Sequence, residues 1–280
     1  MKLRRQSTVA AYECQLTQAL AGELPLECGH MDALLERTFE AEQRHFWFRG
    51  FKRFVVPLLE EAMDGRVNLR LLDAGCGTGA NLPLLQRYGT PFGLELFSRG
   101  LRFAQQRGQQ RLVQGSVTHL PLTGSCIDIV LSFDVLYCLE TTAEQMSLQE
   151  MYRVLRPGGY VIINVAALDM LKGDHSVLGG EVRRYTKREL HEKIERTGFH
   201  VRRLTYTNAV LFPITAAVRM FQRMRGVKTG ESNKGDFYVP PAPINALFSG
   251  ALALEATLIR AGIDMPVGSS LLCFAKKPES

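Results

Sequence analysis

The stretch Leu71-Leu72-Asp73-Ala74-Gly75-Cys76-Gly77-Thr78-Gly79-Ala80-Asn81 decides how the rest of the chain is read. An apolar run meets an acid, passes through glycines at every second position, and leads into a helix start. Glycine reaches positive φ and leaves no side chain between the backbone and a ligand. The helix start behind it offers unpaired N–H groups and a partial positive charge. Two common nucleotide loops fit badly. A dinucleotide loop spaces its glycines G-x-G-x-x-G, whereas this one reads G-x-G-x-G. A phosphate loop continues into Gly-Lys-Ser/Thr, and no lysine stands here.

Working outward, strand and helix signals alternate. Leu69–Ala74 reads as a buried strand, residues 81–88 as a helix, 91–96 as a second strand and 101–107 as a helix. Strands follow at 111–114 and 127–132. A helix through Glu150 ends near Leu155, and Arg156-Pro157-Gly158-Gly159 reads as a turn. Further strands are expected at 160–166, 199–206 and 271–276, with a helix over 187–197 closed by Gly198. Strands separated by helices predict a doubly wound, mostly parallel α/β sheet of seven strands. Upstream, residues 31–64 look helical. Between the last two strands lie two probable helices, near 209–224 and 244–262. The expected organisation is an N-terminal helical lid over 1–64, a core formed by 65–206 with 270–280, and a helical cap over 207–269.

The chain has 280 residues, 46% hydrophobic and 22% charged, an ordinary globular composition that excludes disorder, collagen and coiled coil. The net charge of +6 is unevenly placed: residues 183–228 carry twelve Lys/Arg against three Glu. That tract reads as a solvated face, or as a surface for an anionic substrate, membrane or nucleic acid. Six irregularly spaced cysteines give neither a zinc pattern nor a disulfide framework, which fits a reducing, cytoplasmic setting. No metal site is expected. A scan for a membrane span stops at Ala209–Val218, broken by Pro213 and short of the ~18 residues a span needs.

The loop does not stand alone. Glu95 closes the second strand in Gly93-Leu94-Glu95-Leu96, where a carboxylate can accept from ribose hydroxyls. Gly115-Ser116-Val117 follows the third strand, and Ser132-Phe133-Asp134-Val135-Leu136-Tyr137 follows the fourth. Tyr152-Arg153-Val154-Leu155-Arg156-Pro157-Gly158-Gly159 leads into the fifth. In this order the set resembles the core of the class I S-adenosylmethionine-dependent methyltransferases, Rossmann-like, over about residues 69–206. The segments Arg44-His45-Phe46-Trp47-Phe48-Arg49-Gly50 and Val182-Arg183-Arg184-Tyr185-Thr186-Lys187-Arg188-Glu189-Leu190 resemble a bacterial subgroup of that family.

The resemblance implies S-adenosylmethionine as cofactor and S-adenosylhomocysteine as product. It places Gly75, Cys76, Gly77 and Gly79 along the methionine part, with Asp73 anchoring the loop. Glu95 would hold the ribose, with Leu96, Ser116 and Val117 bordering the adenine. Phe133 would flank the methionine chain, and Trp47 or Arg49 would touch the cofactor from a lid. Relatives usually carry Asp where Ser116 stands and Glu-His where Tyr137-Cys138 stands.

At the acceptor, a hydroxyl benefits from a general base, and His suits neutral pH. His175 is the candidate base and Tyr137 the candidate orienting group. Arg183, Arg184 and Tyr185 are candidates to clamp an acidic group, since guanidiniums suit carboxylate and phosphate. Glu255, set in an apolar helical stripe, is expected to pair with an arginine. No nucleic-acid module is recognisable. The expected activity is methylation, with oxygen favoured, of a small or lipophilic acceptor, anionic or neutral, under the cap. Peripheral membrane contact through the basic cap is a further expectation. A non-catalytic scaffold and a nicotinamide-dependent dehydrogenase are the competing readings.

Overall fold

The computed structural model describes residues 28–172, 180–224 and 239–279. Its centre is a seven-stranded sheet in the order β3-β2-β1-β4-β5-β7-β6. The strands are β1 Leu69–Ala74, β2 Gly89–Glu95, β3 Leu112–Gln114, β4 Ile127–Phe133, β5 Leu155–Ala166, β6 His200–Thr207 and β7 Ser270–Lys276. β1 through β5 pair in parallel, and β7 runs antiparallel to both β5 and β6. The helices are α1 Cys28–Ala41, α2 Phe46–Met63, the single turn α3 Leu82–Leu85, α4 Ser98–Gln106, α5 Thr141–Val154, α6 Lys187–Arg196, α7 Phe212–Met224 and α8 Ala242–Arg260.

Period-two alternation in the strands divides the core into two layers. Leu72, Val130, Ile163 and Cys273 face one side, where α5 supplies Leu148 and Met151 and α6 supplies Leu190 and Ile194. Leu71, Ile129, Ile162 and Phe274 face the other, where α2 supplies Phe54 and Leu58 and α8 supplies Leu252 and Ile259. Each such side chain fully buried contributes roughly 1.5–3 kcal/mol.

Several expectations need correction. Residues 31–64 form two helices, because the chain turns at 42–45 and His45 caps α2, its Nδ1 accepting from Trp47 N at 3.2 Å. The helix expected over 81–88 is one turn. Arg156–Gly159 is not a free turn but the first part of β5, with a register shift against β4 and Gly158 at φ 75°.

α2 and α8 lie together on the sheet and share one apolar core with it. The most apolar long helix is α8, which carries Glu255 and Arg260 and so falls outside a search for uncharged runs. By length and composition it could cross a bilayer, with a mean hydropathy of 1.4. In this fold it rests on α2 and buries Glu255 completely. Among the described residues that carboxylate meets no arginine; Oε2 accepts from Val210 N at 3.1 Å and ties α8 to the turn before α7. Burial pushes its pKa up, against the backbone N–H groups of 208–210.

Candidate active site

Right-handed crossovers bring the carboxyl ends of β1, β2, β4 and β5 to one edge of the sheet, where doubly wound folds bind their ligands. β1 delivers Asp73 and the loop 75–79. Gly75, Gly77 and Gly79 all have positive φ. A methyl group on Gly75 would meet the Val135 side chain at 2.3 Å, and one on Gly79 would meet Ala104 at 2.6 Å. Beside Gly77 there is only open space. The loop is thus packed at its two ends and bare in the middle.

Two acids flank it. Glu95, at the end of β2, is buried; Oε2 accepts from Gly77 N at 2.8 Å and Oε1 from Phe97 N at 2.9 Å. Each oxygen keeps a lone pair for a further donor. Burial raises its pKa, opposed by those backbone donors. Asp73 is 1% exposed, and neither carboxylate oxygen finds a hydrogen-bond partner of good geometry among the described residues. Burial first, then the Glu95 charge, pushes its pKa up to about 7; the Asn81 amide and Lys52 ammonium oppose the rise. A buried, unpartnered carboxylate is costly unless something cationic completes it.

The amino-terminal helices cover this loop. Glu42, just past α1, accepts from the Thr78 hydroxyl and pairs with Arg107. Arg107 also donates to Thr78 O at 3.1 Å. Lys52 of α2 donates to Ala80 O at 2.8 Å. Trp47 stacks on Phe51, centroids 5.7 Å apart, and Phe51 meets the Phe133 ring edge-on at 4.8 Å. The contact from α2 to the end of β4 therefore runs through Phe51, not directly through Trp47 or Arg49.

The remaining cofactor candidates are dispersed. Cys76 is buried and its thiol pKa is driven up by burial. Leu96 is half-buried, and Gln114 donates to its carbonyl at 3.1 Å. Ser116 Oγ lies 2.8 Å from Thr118 Oγ1, and Val117 turns into the core.

On the acceptor side the sequence reading missed Asp134. It follows β4 directly, at φ 61°, a rare backbone state for a non-glycine residue. Its Oδ1 accepts from Asn164 Nδ2 at 2.9 Å. Burial, opposed by the Asn164 bond and assisted by Glu181, pushes its pKa up to about 7. Its place after Phe133, at the same sheet edge as Asp73, was the available signal. Tyr137 is half-buried near it, and burial holds its hydroxyl well above the ordinary range. His175 lies outside the described residues.

The proposed clamp is corrected. Tyr185 is 1% exposed, and its hydroxyl donates to Glu144 Oε1 at 2.7 Å. Arg183 donates to Glu144 Oε2 at 2.8 Å, and Arg184 pairs with Glu181 at 2.6 Å. All three are engaged in joining the segment before α6 to α5 and to the end of β5.

Known proteins agree with this geometry. The family described as a methyltransferase domain matches residues 72–163. A malonyl-[acyl-carrier protein] O-methyltransferase of Pectobacterium atrosepticum is 36% identical over 106 residues, 35% of this chain and 39% of that protein. A tRNA (carboxymethyluridine(34)-5-O)-methyltransferase of Arabidopsis thaliana is 31% identical over 138 residues, 48% of this chain and 33% of that protein. The chain thus spans well under half the length of these two curated relatives. Among solved structures, a chain from the complex between the Haloferax volcanii Trm112 methyltransferase activator and a methyltransferase superposes with a TM-score of 0.57. It is 19% identical and covers 90% of this chain and 97% of its own, a likeness of fold. Residues 72–163 thus carry the sequence pattern of a methyltransferase domain, on the seven-stranded Rossmann-like sheet that solved methyltransferases share.

Proposed function

We propose that the chain transfers a methyl group from S-adenosylmethionine to an oxygen of a small or lipophilic acceptor. The observation that carries this reading is the buried, unpartnered Asp73 carboxylate beneath a glycine loop bare at Gly77. The residues fit the cofactor. Asp73 would pair with its ammonium, the backbone of 75–79 would lie along its chain, and Glu95 would accept from its ribose hydroxyls. When bound, S-adenosylmethionine supplies a methyl group made electrophilic by the sulfonium.

The chain's own residues do the rest. Phe51 and Phe133 exclude water, which favours a displacement in which charge disperses. Alignment alone supplies ~7–11 kcal/mol in well-oriented reactions. Asp134 takes the acceptor's proton, a role its pKa near neutrality suits, and Tyr137 orients the oxygen. Both named relatives carry O-methyltransferase activities, which supports an oxygen acceptor. The acidic part of the acceptor is dropped, because Arg183 and Arg184 are engaged by Glu144 and Glu181.

A second reading has one observation behind it. α7 turns Ile214, Val218 and Phe221 outward at helical spacing, with Val210 exposed just before it, and α8 does the same with Leu247 and Leu254. Such a face suits a lipid surface or a partner subunit for which this chain is a scaffold. Calorimetry with S-adenosylhomocysteine and with NAD, followed by S-adenosylhomocysteine release in the presence of hydroxylated lipids and small carboxylic acids, tests both. Binding and acceptor-dependent release that D134N abolishes without loss of binding support the enzyme. No binding at about 1 mM, an affinity of only ~4 kcal/mol, overturns it.

A further inference from the structure

Two cations touch the glycine loop, Arg107 from within the family's matched stretch and Lys52 from outside it. Arg107 is charge-paired: its guanidinium bridges to Glu42, and reaches Thr78 O and Phe39 O besides. Lys52 is not. Its ammonium, half-buried on the inner side of α2, donates to Ala80 O at 2.8 Å. An ammonium has three donors, so two are left over. Among the described residues no carboxylate lies within ion-pair distance of it, although Glu42 and Asp73 are close enough to act on its charge. Glu42 already accepts from Thr78 and Arg107. The loop therefore lies between a cation with donors to spare and, at Asp73, an anion with no donor of good geometry among the described residues. That pairing of opposite, incomplete charges matches a zwitterionic α-amino acid.

We propose that Lys52 receives the carboxylate of the cofactor's amino-acid end, so that α2 is a wall of the cofactor site and not only a cover. This rests on the methyltransferase reading above. It gives the helix outside residues 72–163 a direct hold on the ligand: a loop with cofactor bound is bridged to α2 through Lys52. Burial lowers the pKa of this lysine, and a ligand carboxylate offsets the cost of keeping it charged.

Calorimetry on the full chain decides, with two probes. S-adenosylhomocysteine carries the amino-acid end; 5′-methylthioadenosine lacks it and keeps the adenosine end held by Glu95. Lys52→Met is expected to weaken S-adenosylhomocysteine by roughly 10–100-fold, the range of a lost charge-assisted pair, and to leave 5′-methylthioadenosine within about twofold. Lys52→Arg restores most of the loss. Should Lys52→Met fail to fold, Lys52→Gln keeps a polar donor without the charge and must show the same selective loss. An equal loss for both probes, or no loss for either, overturns the proposal while leaving the methyltransferase reading intact. Wild-type protein that binds neither probe overturns both.

Discussion

Asp73 and Glu144 are equally buried, each 1% exposed, and they lie in opposite circumstances. Glu144 of α5 is surrounded by donors: Tyr185 at 2.7 Å, Arg183 at 2.8 Å and Lys193 at 2.7 Å. Asp73 has none of good geometry. A carboxylate sealed in protein is tolerable when its lone pairs are filled, and expensive otherwise. The filled one is therefore a joint, holding α5, α6 and the segment before α6 together. The empty one is the mark of a ligand site. Burial alone would not separate the two; the inventory of donors does.

Breaking the filled acid has the largest expected effect. Glu144→Ala leaves Arg183, Lys193 and the Tyr185 hydroxyl without their shared acceptor and is expected to cost about 3–5 kcal/mol in urea unfolding. A loss under ~1 kcal/mol would mean the joint is replaceable.

Asp73→Asn sharpens the contrast by going the other way. The parent carboxyl is pushed up from 3.8 to about 7 in the fold, so the native state holds a proton that the unfolded chain releases. Stability from this group is full below the unfolded value and is lost as pH rises through about 7. The variant carries no such group. At pH 8 it should be more stable than the parent by on the order of 1–3 kcal/mol, the advantage vanishing at pH 4. It should also bind S-adenosylhomocysteine at least about tenfold more weakly. Denaturant titrations at the two pH values, with calorimetry, check both; a variant destabilised at pH 8 would end the comparison.

Tyr185→Phe is the mildest probe. It removes one hydrogen bond to a buried acid, worth roughly 1–3 kcal/mol, and should leave S-adenosylhomocysteine affinity unchanged. A weakened affinity with unchanged melting would return Tyr185 to the ligand.

Much of the architecture was legible. Leu69–Ala74 reads as a strand because apolar residues run unbroken into glycines, and the acid Glu95 stands where a parallel neighbour must end. The failures share one cause. Arg183 and Tyr185 read like parts of a clamp because their partner, Glu144, lies a strand and several turns away in sequence. Lys52 and Glu42 read as the polar side of amphipathic helices; only the tertiary path shows that this side faces the loop. α8 reads as a cap because it follows a Gly- and Pro-rich stretch, yet its apolar surface is needed by the sheet. Local pattern predicts elements well, and pairing between distant elements poorly.

The placement of β7 bears on how this molecule comes to be made. It sits between β5 and β6, bonded to both, and pairs Tyr160 with Lys276 and His200 with that same lysine. An interior strand contributed by so late a segment means that β6 has no neighbour, and β5 an open edge, until residues 270–276 have left the ribosome. Nascent chains must wait with that edge unpaired, which slows assembly and makes lesions in residues 270–276 as damaging as lesions in the central strands.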